Sequence, residues 1–366
     1  MQRTYIAIIA VAVTAAGLAR AEGPLVKYGD PVPRDVRETY DAGIRYLLKT
    51  QDADGSWKDG QAGAGVTGIA MMVLLASGED PNFGPYRVPI RKALRNMIGQ
   101  QDGGTGFFGG QHGGGHDSMY QHGFAMLALA EAYGVVDDRT LWTEPGAQKA
   151  GPGVGRSIGK ALELAVRRAV SSGKQNPVGA WRYGPDAKDA DTSVSGAVLM
   201  GLLAARNAGI EVPDETIDRA IKYYVSMTGG NGQVGYSGGA GGGSDAVTSI
   251  GVLVYSIARR QELPQYKAAA KYLVSRSRGG EQMAGMDGYP GYTDYYRAQA
   301  LFQCDVTAWE QWNAGLVKTL KAMQAKDGSL SSGRGGMATA GGGTVTTSLY
   351  LLSMAVNFKF LPVYER

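Results

Sequence analysis

The sequence predicts an all-α protein in which six helical hairpins form an inner and an outer ring of helices, an (α/α)6 toroid. Three observations predict it. A unit of helix, Gly-rich turn and helix recurs about every 55 residues and fills nearly the whole chain. Within each unit the first helix is amphipathic and the second is apolar nearly all round, so the second must be buried and the first must lie outside. Neither terminal hairpin shows the polar outer cap that an open stack of hairpins requires, which favours closure over an open superhelix.

The chain opens with Arg3, an apolar run from Tyr5 to Leu18, and Ala19-Arg20-Ala21 ahead of Glu22. That is the layout of a secretory signal with a small-residue cleavage site, so residues 1–21 are expected to be removed. The run, about 14 residues, is short of the roughly 20 that a spanning helix needs. Export to the periplasm or the exterior is the expected localisation, with no transmembrane span left after signal removal. Residues 22–35, with Pro24, Pro31 and Pro33, read as an extended lead-in, and residues 36–366 as a single toroid domain.

The first hairpin runs from Val36 to Gly78. Ile44, Leu47 and Leu48 give its outer helix a buried face, Gln51, Gly55 and Trp57 mark the turn, and Val66 to Leu75 is the inner helix. The second has Ala93 to Ile98 outside, Gln101 to Phe107 in the turn and Ser118 to Tyr133 inside. An insertion rich in Gly and Pro follows at 135–155. The third has Ala161 to Val170 outside, and Gln175, Gly179 and Trp181 repeat the offsets of the first turn. Asp191-Thr192-Ser193 opens its inner helix as an N-cap cluster. The fourth runs from Asp214 to Val225, crosses a glycine tract at 229–243 and resumes at Asp245 to Val254. The fifth has Tyr266 to Val274, Asp287-Gly288-Tyr289 and Tyr292 to Phe302; the sixth has Leu316 to Met323, Gln324, Gly328 and Leu330, then Val345 to Val356.

Without the signal, Lys and Arg fall from 37 to 35 against 33 acidic residues. So near-neutral a balance predicts no nucleic-acid partner and no strong attraction to a membrane surface. A single cysteine, Cys304, excludes an internal disulfide and a thiolate metal cluster.

The pattern Tyr46-Leu47, Gln51, Gly55, Trp57 resembles the QW repeat of squalene and terpenoid cyclases, and the wider hairpin resembles the repeat of protein prenyltransferase β subunits. The resemblance implies the toroid fold; it does not by itself fix chemistry. In class II terpenoid cyclases an Asp-x-Asp-Asp-Thr motif supplies the acid that starts cyclisation. Here Asp189-Ala190-Asp191-Thr192 matches only in part. Setting Asp191-Thr192 on the terminal Asp-Thr puts Ala190 where the donor belongs, whereas setting Asp189 first makes Asp191 the donor. The zinc site that the prenyltransferase resemblance would require, an Asp-x-Cys with a His, has no counterpart, since Cys304 falls late in its helix and Tyr120 stands where the His is due.

In a toroid the six inner-helix N-termini converge on one mouth, where unpaired N–H groups and positive dipole ends gather. The candidates there are Asp189 and Asp191 as tentative catalytic acids, and Tyr120, His122, Thr192, Asp245, Thr248, Tyr292, Asp294 and Tyr295 as ligand-binding groups, joined by Asp117, Thr346 and Thr347. The bland reading is that Asp and Thr are ordinary caps, each contributing about 1 kcal/mol. His122 is expected to line the cavity, hydrogen-bonded to Tyr120 or an Asp. His112 and His116 flank Gly113-Gly114-Gly115, a loop rather than a helix face, so neither metal nor cofactor is expected.

Three functions follow. The first is an exported terpenoid-cyclase-like toroid that binds a small apolar molecule or a peptide, the latter leaving room for a protein partner, without the standard catalytic motifs. The second is a squalene-type cyclase with Asp191 as general acid. The third is a glycosidase or polysaccharide lyase on the same fold, using paired carboxylates such as Asp191 with Asp245 or Asp294.

Overall fold

A computed structural model describes residues 32–59, 61–109, 118–144, 147, 150–278, 290–331, 342–358 and 361. The signal, most of the lead-in, His112, His116, Asp117 and Tyr289 lie outside the described residues. Val32–Arg366 forms one compact unit.

Twelve helices of twelve residues or more make up the described residues. The outer ones are α1 (Arg34–Thr50), α3 (Arg87–Gln100), α5 (Ile158–Gln175), α7 (Asp214–Met227), α9 (Pro264–Arg278) and α11 (Val306–Met323). The inner ones are α2 (Ala64–Leu75), α4 (Ser118–Ala132), α6 (Thr192–Asn207), α8 (Asp245–Ile257), α10 (Pro290–Cys304) and α12 (Gly342–Ala355). A two-residue ladder, Lys58–Asp59 against Gln61–Ala62, lies in the first turn.

The two rings follow from side-chain distribution. Every residue of α2 is buried, whereas α1 buries Val36, Tyr40, Ile44 and Leu47 on one stripe and leaves charges outside. Inner helices pack in the order α2, α4, α6, α8, α10, α12, and α12 returns to α2; α11 likewise returns to α1. The ring is closed, and the fold is the (α/α)6 toroid the sequence predicts.

Glycine sets how closely the inner helices approach. A Cβ on Gly123 of α4 would stand 2.7 Å from the backbone of Ala197 on α6, so these two helices meet backbone to backbone.

The turns are stapled by the repeated residues. Gln51 Nε2 donates to Gly55 O within its own turn and to Pro89 O on the next outer helix, both at 3.0 Å. Gln101 does the same to Gly106 O and Ala161 O. Gln324 bonds Gly328 O and reaches Thr39 O on α1, bridging the last repeat to the first. Gly55 and Gly328 have φ of 87° and 92°, and each abuts a carbonyl of the neighbouring outer helix that a side chain would strike. Trp57 and Trp181, both buried, donate from Nε1 to Leu47 O and Ala169 O on their own outer helices. In the third turn the glutamine's place is taken by Asn176, whose Nδ2 bonds Ala187 O and Asp189 O, while Gln175 is exposed at the end of α5. The sequence pattern, which put Gln175 in that place by its offsets to Gly179 and Trp181, is corrected by one residue.

A second set of bonds, missed at the level of sequence, fixes the register of five of the turns, the first four and the sixth, on their inner helices. The N–H of Trp57, Phe108, Trp181, Val234 and Leu330 donates to Thr67 Oγ1, His122 Nδ1, Ser195 Oγ, Thr248 Oγ1 and Thr347 Oγ1 respectively. The acceptors share a position, one turn into the helix, but not a residue type. That is why no motif betrayed them. In the second turn the register residue is Phe108, one beyond the expected Phe107.

The insertion is held from α3. Arg87, Arg91 and Arg95 converge on Glu144, and Arg91 also donates to Thr140 Oγ1 and Asp137 O.

Candidate functional site

With register fixed, the mouth can be built from its helices. Asp191 is the N-cap of α6: its Oδ1 accepts from Val194 N at 2.8 Å and from Ser193 Oγ at 2.9 Å. Ser193 Oγ in turn accepts from the Tyr120 hydroxyl of α4 at 2.5 Å. Asp191 is fully buried, and its other oxygen, Oδ2, has no hydrogen-bond partner. The Arg182 guanidinium stands 3.9 Å from that oxygen and is itself bonded to the exposed Asp189. Burial pushes the Asp191 carboxyl above the ordinary carboxylate range, against the opposing pull of Val194 N–H, Ser193 and Arg182.

Phenols surround this carboxylate. Tyr183 and Tyr236 share a 2.5 Å hydroxyl contact, Arg182 lies over the Tyr183 ring at 5.5 Å, and Tyr120 packs 6.4 Å from Tyr183. Burial first, and then the Asp191 charge, raises the Tyr120 and Tyr223 hydroxyls. The buried hydroxyl of Tyr223 has no hydrogen-bond partner, and that of Tyr292 lies among the hydroxyls of Tyr120 and Tyr296. Tyr292 packs edge-on to Tyr296, and Tyr296 to Tyr295.

Below the mouth the axis is filled. On the inner helices the slight residual exposure follows one stripe, Val66 and Ile69 on α2, Tyr292 and Tyr295 on α10, Thr346 and Leu349 on α12, which marks the axial face. Phe124 of α4 and Tyr295 of α10 stand on opposite sides of the ring, and their rings lie 6.4 Å apart. Those two side chains meet across the axis. Tyr295 is therefore a plug beneath the mouth rather than a ligand-facing group.

Several other candidates turn out to have structural partners. His122 faces away from the axis: Nδ1 accepts from Phe108 N at 3.3 Å and Nε2 donates to Ala165 O at 3.0 Å, the neutral tautomer with both nitrogens used. Burial lowers its pKa to about 4. The expected bond to Tyr120 or an Asp is absent because the register bond turns the imidazole outward. Thr248 is the register residue of α8. Thr192 Oγ1 donates to Gly235 O and its N–H to Tyr236 O, which ties the glycine tract to α6. Asp245 is held by Arg297 at 2.6 Å and Arg276 at 3.6 Å. Asp294 is buried on α10. Asp191, Tyr120 and Tyr292 thus belong to the mouth cluster together with Ser193 of the α6 cap; Arg182, Tyr183, Tyr223 and Tyr236 complete it and were missed, because they come from loops and from a helix the sequence gave no reason to aim inward.

Among the described residues no group of three or more His, Cys, Asp or Glu could hold a metal ion. No described helix is long and apolar enough to cross a membrane.

An (α/α)6 toroid of terpenoid-cyclase-like architecture is the class this ring defines. No protein-family model matches the chain, and no curated protein matches its sequence. Solved structures match it in fold. The type II terpene cyclase MstE from Scytonema is 15% identical over 89% of this chain and 99% of its own, with a TM-score of 0.60. A family 76 mannosidase from Bacteroides thetaiotaomicron is 11% identical over 88% and 98%, with a TM-score of 0.61. An α-1,6-mannanase of Salegentibacter sp. is 11% identical over 88% and 99%, with a TM-score of 0.60.

Proposed function

We propose that this is an exported toroid that binds a ligand at the mouth of its ring, against the phenols that surround Asp191, and that it does so without the catalytic motifs of the terpenoid cyclases. The observation that carries the reading is Asp191 Oδ2: a fully buried carboxylate oxygen with no hydrogen-bond partner. Leaving such an atom unpaired costs about 1–3 kcal/mol, more for a charged group. A ligand offering a donor there removes that cost, and the tyrosine faces accept an apolar body. The filled axis supports a guest seated at the mouth over a long polyprene threaded through the ring.

Protein purified from its own cell envelope and sprayed natively is expected to carry a retained small molecule or peptide, and Asp191→Ala is expected to release it. A mature N-terminus near Glu22 in the same spectrum tests export. Wild-type protein that carries no adduct under any mild extraction overturns the binding reading.

One observation favours a second reading, Asp191 as the acid of a cyclase: its carboxyl is raised by burial, and its unbonded oxygen is free to present a proton. MstE structures include one with geranylgeranyl dihydroxybenzoate, a substrate of that type. Product formation from a polyprene that is unchanged in Asp191→Asn removes this reading. The glycosidase reading has less to stand on. Asp245 is engaged by two arginines, and the adjacent pair Asp137-Asp138 follows α4 at the end of the ring opposite the mouth.

A further inference from the structure

The mouth has an unusual balance of donors and acceptors. Two of its buried oxygens, Asp191 Oδ2 and Tyr223 Oη, have no hydrogen-bond partner. Around them stand the rings of Tyr120, Tyr183 and Tyr236, whose faces are the negative ends of aromatic quadrupoles. The charge nearest the unbonded carboxylate oxygen is the side chain of Arg182. It approaches to 3.9 Å, too far for a hydrogen bond, while lying 5.5 Å over the Tyr183 ring and keeping its bond to the exposed Asp189. The resident guanidinium thus occupies the rim of a cation site without filling it.

We infer that the group this mouth accepts is an organic cation, a primary ammonium or guanidinium on an apolar body, which bonds Asp191 Oδ2 and rests on the tyrosine faces. The inference builds on the mouth-binding reading and adds the ligand's chemical class. An ammonium carries three donors and no acceptor, so it can bond the Asp191 carboxylate oxygen and a phenol oxygen together; a neutral hydroxyl supplies one donor. It also brings a hydrogen-bonded counter-charge to a carboxylate oxygen that Arg182 approaches only to 3.9 Å, since burial of an ion is tolerated when it is paired and hydrogen-bonded. Arg182 then competes with the ligand for Asp191 through its own positive charge. The same chemistry is offered by a free amine and by a lysine side chain of a peptide.

The test is calorimetric titration of the full chain with phenylbutylamine, with its neutral counterpart phenylbutanol, and with the blocked peptide Ac-Phe-Lys-Phe-amide. The amine is expected to bind at least ~10-fold more tightly than the alcohol, a preference that falls below ~2-fold in Asp191→Asn. Arg182→Gln, which removes the competing guanidinium and leaves the α6 cap untouched, is expected to tighten amine binding about 3-fold or more. Peptide binding tighter than that of the amine assigns the cation to a protein partner; the reverse order assigns it to a small amine. Equal affinity for amine and alcohol in the wild type overturns the cation while leaving a mouth that binds apolar ligands. Failure of all three probes on protein that retains a native adduct likewise overturns the cation and spares the mouth.

Discussion

The turns at the outside of the ring and the mouth at its centre treat their buried polar groups in opposite ways. At the turns, Gln51, Gln101 and Gln324 each make two bonds, both tryptophan N–H groups are satisfied, and His122 uses both ring nitrogens. At the mouth, two buried oxygens, Asp191 Oδ2 and Tyr223 Oη, have no hydrogen-bond partner. Buried polar groups in folded proteins are nearly always bonded, so a satisfied network reads as scaffold and an unsatisfied one calls for an explanation outside the chain. Unpartnered buried groups also occur away from the mouth, Trp309 Nε1 and Thr216 Oγ1 among them; what sets the mouth apart is that one of its unpartnered atoms belongs to the Asp191 carboxylate.

His122 offers the sharpest way to test the scaffold half of that contrast. Its folded pKa, about 4, lies below the ordinary imidazole value of 6.5. The folded state therefore favours the neutral ring. Stability is fully present above pH 6.5 and is lost as pH falls toward 4, because the unfolded chain takes up the proton first. A shift of that size corresponds to about 3 kcal/mol. Urea unfolding at a series of pH values is expected to show that loss in the wild type and a flatter profile in His122→Asn. Profiles of equal slope would break the assignment of His122 to the scaffold.

A smaller effect is expected at the seam. Gln324→Ala removes the bond to Thr39 O on α1 and the bond to Gly328 O. Each is worth about 1 kcal/mol, so the loss is about 2 kcal/mol. Gln51→Ala removes the matching pair of bonds inside the ring and is expected to cost the same. In a ring that opens readily in solution, the Gln324 substitution would be nearly silent while the Gln51 one kept its cost.

How much of this was legible in the sequence follows the same division. The staples were readable because Gln51, Gly55 and Trp57 recur at fixed offsets, and because apolar helices such as α2 must lie inside. Closure was readable from the absence of polar caps. The register bonds were not, since Thr67, His122, Ser195, Thr248 and Thr347 share only a position and an acceptor. For the same reason Thr248 and His122, singled out for polarity near a helix start, belong to the scaffold. Asp191 stood out as a cap with a motif-like neighbourhood, but that one of its oxygens is unbonded depends on where Tyr120, Arg182 and Tyr223 come to rest, and three-dimensional placement of loop residues leaves no periodic trace.

The smallest expected effect on stability is the one that discriminates most. Asp191 is buried and caps α6, so an ordinary scaffold role predicts a substantial loss on substitution. The geometry predicts otherwise for Asn. Asparagine caps as well as aspartate, so the bond from Val194 N survives. What disappears is a charge that burial disfavours: the folded carboxyl is raised, so its contribution is present below the unfolded pKa and is lost as pH rises through the folded one. Its sign is opposite to that of His122. Asp191→Asn is therefore expected to leave stability at pH 7 within about 1 kcal/mol of wild type, or to raise it, and to match wild type in acid, where both side chains are neutral. A loss of about 3 kcal/mol or more at pH 7 would move Asp191 to the scaffold side and leave the mouth without its central group.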